Sequence, residues 1–178
     1  MRPRPRWTRW LLLALGVAIV VHAATVYLLP RIVMRFATAG MAANAGFNQA
    51  VFPPRADETA RGIVRPSPDL LYAGCAFDVS GRPLRIRAEV PRDTYWSLSM
   101  FAANTDNFFV VNDRAAASGT VDLVLARVGT KVTVPDGATL VEVPSASGIV
   151  LTRTLVASAE RATELDQARR RFSCAPLA

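Results

Sequence analysis

The 178-residue chain contains a single histidine, His22, and a single lysine, Lys131. Because His22 lies inside a long apolar run, the rest of the chain has no imidazole that could act as a general base or bind zinc. A Ser-His-Asp triad, a Cys-His pair and a His-ligated zinc site are therefore excluded within one chain. Glycine-rich phosphate loops are absent, and no motif around Lys131 supports Ser-Lys chemistry. From these absences we predict no metal site and no cofactor, and the sequence assigns no catalytic residue.

Acidic residues are absent from the first 56 positions, which hold seven arginines. From position 57 onward the chain holds fourteen basic and fourteen acidic residues, so the net charge of +7 belongs to the N-terminal part alone. Binding to nucleic acid requires a basic face. Since the larger part of the chain is balanced in charge, we do not expect it to bind nucleic acid.

Charged residues are also absent between Arg9 and Arg31, where the sequence reads WLLLALGVAIVVHAATVYLLP. About twenty apolar residues suffice for a helix to cross a bilayer, so residues 10–30 are predicted to be a single-pass transmembrane anchor in contact with lipid. More arginines precede this run than follow it, and the positive-inside bias then places residues 1–9 in the cytoplasm as a basic tail. Twenty arginines to one lysine indicate a GC-rich bacterial genome, which predicts an inner-membrane protein with a periplasmic domain.

A cleaved signal peptide is the alternative interpretation of this run. Val21-His22-Ala23 resembles a small-x-small cleavage site after a short apolar core. The run nevertheless continues through Leu29 and Pro30, which is longer than a signal peptide needs and favours a retained anchor. Both interpretations export the rest of the chain.

Residues 31–68 are predicted to be a helical extension of the anchor followed by a linker. Apolar residues recur at helical spacing from Ile32 through Phe36 to Ala43, and Pro53-Pro54 ends that pattern. The following stretch is rich in proline and charge, which is typical of an extended connection.

Residues 69–178 are predicted to form one mainly β domain, a periplasmic antiparallel β-sandwich or jelly-roll-like fold with a C-terminal helix. The clearest strand is Leu84–Val90, in which apolar residues alternate with charged ones, as in a sheet with one solvated face. Many short strands joined by turn residues favour a sandwich or barrel. The helix is predicted over Ser158–Phe172, with Ser158 as its N-cap. Further strands are predicted at Phe108–Val111, Val121–Ala126, Lys131–Val134, Thr139–Val143 and Ile149–Val156.

The two cysteines, Cys75 and Cys174, both lie in the exported part, where disulfides form and persist. Their spacing fits no zinc pattern. Because Cys75 lies on the inward face of the first predicted strand, we predict one disulfide that pins the C-terminal helix onto that strand. The alternative is two unrelated buried thiols.

Two polar segments, Asn104-Thr105-Asp106-Asn107 and Asn112-Asp113, flank four apolar residues. If those four residues are a strand, the two segments lie more than about 10 Å apart and do not share one cation. We interpret them as turns in which Asx side chains bond to the backbone.

Arg153 falls on the same strand face as Leu151 and Leu155, where a guanidinium needs a polar partner. The candidate partners are Asp69 and Asp106. The arrangement is either an ion pair at the end of a strand or an anion-binding arginine in a pocket. Aromatic residues that could line such a pocket, although on strands they are more often core, are Tyr72, Tyr95 and Trp96.

Three segments, RPSPDLLYAGCAFDVS, DTYWSLSMFAANTDNFFVVND and GIVLTRTLV, resemble the bacterial family called domain of unknown function 1254. The resemblance extends from Ile63 to Val156, and the chain departs from the family pattern at Ser67 and Leu70. The family has no established activity. Residues that match family motifs are Asp69, Leu71, Tyr72, Tyr95, Trp96, Asn104 to Asn107 and Arg153. The resemblance therefore implies a binding site at Asp69, Tyr72, Tyr95, Trp96, Asn104, Asp106, Asn107 and Arg153.

Many members of that family carry a second domain, of unknown function 1214, in the same chain. The resemblance thus implies a short, membrane-anchored form without it, and a separately encoded membrane protein that carries it is a candidate partner. The alternative is a self-sufficient monomer. Two functions remain open: a ligand-binding or interaction module of the cell envelope, and a hydrolase-like envelope enzyme that uses Asp69, Asp106 and Arg153.

Overall fold

The computed structural model of the chain describes residues 6–60, 66–116 and 119–177. Parts of the predicted basic tail and linker, positions 1–5 and 61–65, lie outside these residues. In chain order the elements are α1 (Arg6–Ala45), β1 (Leu70–Asp78), β2 (Leu84–Glu89), β3 (Trp96–Ala102), β4 (Asn107–Asn112), β5 (Thr120–Arg127), β6 (Thr139–Val143), β7 (Ser147–Leu155), a 3₁₀ turn (Ala159–Arg161), α2 (Ala162–Arg170) and β8 (Ser173–Pro176).

The strands form two four-stranded sheets. Sheet A has the order β1-β7-β3-β4 and sheet B the order β6-β5-β2-β8. All neighbouring strands are antiparallel except β5 and β6, which run parallel. This confirms the predicted mainly β, two-layer fold, with a helix near its C-terminus and one long apolar helix before it.

The core lies between the two sheets and is built from the inward half of each alternating strand. In sheet B, Leu84 and Ile86 of β2 are fully buried, whereas Arg85 and Arg87 between them face outward. The largest fully buried residues of sheet A are Phe77, Leu98 and Met100. The alternation of β2 thus reports one buried and one solvated face, as its sequence predicted.

The predicted disulfide between Cys75 and Cys174 is confirmed. Its place in the fold differs from the prediction, because Cys174 lies on β8 and not on the C-terminal helix, which ends at Arg170. β8 pairs with β2 in sheet B, whereas Cys75 belongs to β1 in sheet A. The bond therefore ties the two sheets together through the core.

The C-terminal part of α1 packs on the outer face of sheet A. Its residues Met34 and Thr38 are buried, and Met41 lies so close to Gly74 of β1 that a methyl group at Gly74 would be 3.2 Å from the Met41 methyl carbon. Spacings of three and four place these residues on one side of the helix. Ile32 and Phe36, at the start of the predicted apolar stripe, are instead exposed.

Small side chains allow this close approach of helix and sheet. Ala76 of β1 and Ser97 and Ser99 of β3 point to the same face as Gly74, and all of them are buried. β1 and β3 of sheet A are therefore buried on both faces. Alternation of apolar and polar residues predicts only one buried face for a strand.

Three local predictions need correction. Lys131–Val134 is not a strand but part of the connection from β5 to β6, since parallel neighbours require a crossover. Ser158 makes no capping hydrogen bond from its side chain, and α2 begins only at Ala162 after the 3₁₀ turn. The predicted helix, Ser158–Phe172, also extends two residues too far, because α2 ends at Arg170.

Candidate functional site

The outer face of sheet A carries a group of polar side chains around Arg153 of β7. The strand register places Arg153 directly between Tyr72 of β1 and Ser97 of β3. Residues opposite each other on antiparallel strands point to the same face, so the three side chains are neighbours. We refer to Arg153, Tyr72, Tyr95, Ser97 and Ser99 as the Arg153 cluster.

Hydroxyl groups provide the close contacts of this cluster. An Nη of Arg153 donates a hydrogen bond to the Ser99 hydroxyl at 3.3 Å, and the Tyr95 and Ser97 hydroxyls are 3.0 Å apart. The Tyr72 hydroxyl accepts a hydrogen bond from the backbone N–H of Ser67 at 2.9 Å, which leaves its own proton free to be donated. The cluster therefore combines one cation with several hydroxyl groups.

The predicted carboxylate partners of Arg153 are not found. Within residues 6–60, 66–116 and 119–177, no carboxylate oxygen lies within ion-pair distance of Arg153. Its only side-chain hydrogen bond in this part of the chain goes to Ser99. Because a guanidinium has five N–H donors, most of them are free to bind another acceptor. Arg153 is half-buried, so water reaches part of it.

Asp69 lies at the same end of sheet A as Arg153, in the turn before β1. Its carboxylate is exposed, while its backbone carbonyl accepts a hydrogen bond from the N–H of Val156 at 2.9 Å. Trp96 is only 2% exposed and points into the core, opposite to the face that Arg153 occupies. Of the predicted binding residues, the structure thus brings Arg153, Tyr72 and Tyr95 together, with Asp69 at the same edge and Trp96 on the other side of the sheet.

Asn104, Asp106 and Asn107 lie at the opposite end of sheet A, in and beside the turn from β3 to β4. The Asn104 side-chain amide donates to the Asp106 carboxylate at 2.6 Å, and Thr105 adopts a positive φ of 73°. These contacts are those of an Asx-type turn. β3 has seven residues, which separates this turn from the Arg153 cluster by about 20 Å at about 3.3 Å per residue. Asp106 and Arg153 therefore cannot act on one bound group.

A buried arginine of α2, Arg169, was not anticipated from the sequence. Its side chain is 3% exposed, and one Nη donates to the carbonyl oxygens of Pro53 at 2.7 Å and Tyr72 at 2.8 Å. It also pairs with Asp166, whose carboxyl pKa is held below its ordinary value mainly by hydrogen bonds from Arg170 and by the charge of Arg169. Arg169 holds the backbone at Tyr72 and the incoming linker in place.

The outer face of sheet B is charged but internally paired. Arg85 donates two hydrogen bonds to Asp122, at 2.8 and 2.6 Å, and Arg87 donates a third at 3.1 Å. These bonds, with Arg85 contributing most, hold the pKa of the Asp122 carboxyl below its usual value. Arg171 and Glu89 form a further pair. In the described part of this face, Arg85 and Arg87 are thus paired with a carboxylate, whereas Arg153 is not.

Two of the open clefts formed by the described residues are not lined by the Arg153 cluster. The larger, about 500 Å³, lies between the loop that precedes β3 and the chain after β4, next to Asp93 and Asp113. The smaller, about 280 Å³, lies between the turns at Gly81 and Gly129. Within the described residues, no group of three or more His, Cys, Asp or Glu side chains is placed to hold a metal ion.

Comparison with known proteins places these features in context. A family model described as "Protein of unknown function (DUF1254)" matches residues 47–176. In fold, the chain is similar to the crystal structure of the VPA0106 protein from Vibrio parahaemolyticus, with a TM-score of 0.69 and 17% sequence identity over 86% of this chain and 37% of that one. It also matches a putative uncharacterized protein from Burkholderia cenocepacia, with a TM-score of 0.47 and 20% identity over 89% of this chain and 41% of that one. The chain thus spans less than half the length of either structure. None of the curated proteins matches it significantly.

Proposed function

The chain belongs to the DUF1254 family of proteins of unknown function, and we propose that it is a membrane-anchored binding module of the bacterial cell envelope. One helix near the N-terminus, Trp7–Ala43, is long and apolar enough to cross a membrane. As a whole, α1 has 40 residues and is about 60 Å long at 1.5 Å per residue, twice the thickness of the hydrocarbon core. Its first half can span the bilayer while its second half carries the domain.

Residues at the two ends of the first half support a span over residues 10–30. Trp7 and Trp10 stand at one end, and Tyr27 and Arg31 at the other. Arg31 lies over the Tyr27 ring, with 3.7 Å between its guanidinium carbon and the ring centroid, and donates to the Tyr27 carbonyl oxygen. Aromatic residues and arginine are enriched at both membrane interfaces. With the N-terminus in the cytoplasm, this span places the β domain in the periplasm.

Retention of the anchor is supported by the continuity of α1. The helix passes through the cleavage-like sequence Val21-His22-Ala23 without a break, and its later residues pack on sheet A. Cleavage after Ala23 would leave the apolar residues 24–30 in water at the end of a helix that belongs to the fold. We therefore propose an anchor that stays part of the protein.

The binding proposal rests on one observation: the half-buried guanidinium of Arg153 has hydroxyl neighbours and no carboxylate partner among the described residues. Arg153 can bind two oxygens of a phosphate, sulfate or carboxylate side by side. The Tyr72 hydroxyl, one strand away, can donate to a further oxygen. These groups recognise an anion, and among the described residues no carboxylate or imidazole is bonded to a hydroxyl of the cluster to activate it as a nucleophile. The proposed role is therefore binding rather than the hydrolase-like activity for which Asp69, Asp106 and Arg153 would have to converge.

Substitution of Arg153 by glutamine tests this proposal. We expect Arg153→Gln to bind inorganic phosphate or succinate about thirtyfold more weakly than the wild type, a loss of about 2 kcal/mol for one charge-assisted contact. The measurement is a titration of the full chain in detergent micelles, followed by the NMR signals of sheet A. Arg153→Lys should bind with intermediate affinity, because it keeps the charge but not the fork of donors.

The control variant is Arg127→Gln, which removes an exposed arginine at the end of β5 in sheet B. It should bind like the wild type, and both variants should unfold at the wild-type denaturant concentration. Equal binding by Arg153→Gln and the wild type, or a wild type that binds neither anion, would contradict an anion site at Arg153.

A partner protein is a second proposal. β4 (Asn107–Asn112) is an edge strand of sheet A, and its Val110 is 57% exposed. Such an edge can pair with a strand of another protein. We propose that a separately encoded membrane protein carrying the companion domain covers this edge, and a detergent pull-down with crosslinking distinguishes it from a self-sufficient monomer. Two proteins tethered in one membrane need only a modest interface.

A further inference from the structure

The spacing between the membrane span and the domain within α1 is unusually short. Leu29 is the last apolar residue before Pro30 and Arg31, and Met34 is already buried against the rest of the chain. Five residues of helix rise about 7.5 Å. The headgroup layer of one leaflet is about 5–7 Å thick, since the whole bilayer measures about 40–45 Å and its hydrocarbon core about 30 Å. The first contact between α1 and the domain therefore falls at the outer limit of the headgroup layer.

Span and domain are joined by helix and not by a flexible linker, and Pro30, a residue that kinks helices, lies where the two parts meet. α1 is unbroken from Arg6 to Ala45, and its later part is held on sheet A at Thr38 and Met41. Just after the helix, the Asn48 side chain is bonded to the backbone carbonyl of Asp78 at 2.9 Å and to its N–H at 2.7 Å. A domain fixed to the helix along this length cannot swing away from the membrane as it could on a flexible linker.

The side of α1 that faces away from the domain at this level is apolar. Ile32, Val33 and Phe36 lie on one side of the helix, and Phe36 is 73% exposed. Arg31 and Arg35 stand beside them, and neither has a carboxylate partner in the part of the chain described. Exposed aromatic and aliphatic side chains flanked by arginine match the chemistry of the membrane interface, where phosphates lie above the acyl chains.

We propose that the domain is seated on the outer surface of the inner membrane, with Ile32 and Val33 in the lipid headgroup layer and Arg31 and Arg35 directed to the lipid phosphates. The ring of Phe36, which like other helical side chains points back toward the helix N-terminus, lies at the outer limit of that layer. This inference rests on the proposed anchor over residues 10–30. It adds that the part of α1 next to the β domain contacts lipid headgroups. It also adds that the helix sets the distance between the β domain and the bilayer. The occupant of the exposed apolar side of α1 is therefore lipid, rather than a second protein.

The test uses single tryptophan reporters in the full chain, reconstituted in phospholipid vesicles. Each protein keeps the buried core Trp96 as a constant background. The first reporter is the native Trp10 with Trp7 replaced by phenylalanine. The second is Phe36→Trp, with both N-terminal tryptophans replaced by phenylalanine. The matched control is Val128→Trp in that same background, because Val128 is equally exposed but lies in the turn after β5, far from α1 residues 31–36 along the chain and in the fold.

Two sets of vesicles carry a quenching nitroxide, either on the headgroup or at the headgroup end of the acyl chain, which is the depth of Trp10 in the proposed span. We expect Trp10 to lose emission with the acyl-chain label, Phe36→Trp to lose emission with the headgroup label, and Val128→Trp to keep its emission with both. If Trp10 is quenched but Phe36→Trp behaves like Val128→Trp, the proposal that the domain is seated on the membrane is overturned, while the proposed anchor is supported. If Trp10 is not quenched by the acyl-chain label, the proposal of a membrane anchor over residues 10–30 is overturned. The proposal of a seated domain, which rests on that anchor, is then overturned as well.

Discussion

Replacing Cys75 and Cys174 together by alanine is expected to lower the free energy of unfolding by about 4–5 kcal/mol. The disulfide joins residues 99 positions apart, so its loss frees a long loop in the unfolded chain. In the folded chain it also ties β1 of sheet A to β8 of sheet B. Alanine is the appropriate replacement because both cysteines are buried, and serine would leave a hydroxyl without a partner. A loss of this size is a large part of the stability of an ordinary domain, about 5–15 kcal/mol.

Urea unfolding of the full chain, measured in detergent with and without a reductant, checks this expectation. The wild type should lose stability on reduction, whereas the double alanine variant should be insensitive to the reductant. The non-reduced wild type should react with no thiol reagent after unfolding. Alkylation of both thiols under that condition would show that the bond does not form.

Substitution of Gly148 by alanine is expected to destabilise the domain by about 3 kcal/mol. A methyl group at this position would lie 2.7 Å from the Phe77 ring and closer still to the carbonyl oxygen of Phe101. Phe77 is fully buried, and Phe101 is held by the pairing of β3 with β7, so neither can give way cheaply. The position therefore requires glycine because of space, not because of its backbone angles.

Gly81→Ala is the matched control, since no atom lies within 4 Å of a methyl group added there. Its free energy of unfolding should stay within about 0.5 kcal/mol of that of the wild type, as for ordinary surface substitutions. Thermal and urea unfolding of the two variants in parallel provide the comparison. Equal stability of Gly148→Ala and Gly81→Ala would mean that Gly148 does not lie against Phe101 and Phe77 as described.

Strands with one solvated face are the part of this fold that the sequence predicts well. In Leu84–Glu89 the alternation of apolar and charged residues identifies both the strand and its buried face. β1 and β3 are harder, because small residues such as Gly74 and Ser99 are buried on their outer face, which α1 covers at β1. The apolar spacing of Ile32 and Phe36 predicted the helix but not which of its sides is buried. That helix segment is apolar on several sides, and only its contact with sheet A shows that Met34 is on the buried side.

Arg153, Tyr72 and Tyr95 of the Arg153 cluster were singled out from the sequence, whereas Ser97, Ser99 and the geometry of the cluster were not. Periodicity places Arg153 on a strand face, yet it does not show which residues of neighbouring strands lie beside it. That depends on register, which brings Tyr72 and Ser97 to Arg153 and leaves Asp106 at the far end of β3. The burial of Arg169 was not predicted, because an arginine near the C-terminal end of a helix rich in charged residues is ordinarily exposed to solvent. Its burial depends on the linker carbonyl at Pro53, a contact between segments that are 116 positions apart in the chain.

Anchored export of the domain is tested most directly by fusing alkaline phosphatase to the C-terminus and assaying activity separately in the membrane and soluble fractions. The phosphatase folds to its active form only outside the cytoplasm, because it needs disulfides. We expect an active fusion in the membrane fraction, which requires both export of the domain and a retained span over residues 10–30. An inactive fusion would contradict export, and an active fusion in the soluble fraction, with a mature chain that starts near Ala24, would contradict the retained anchor.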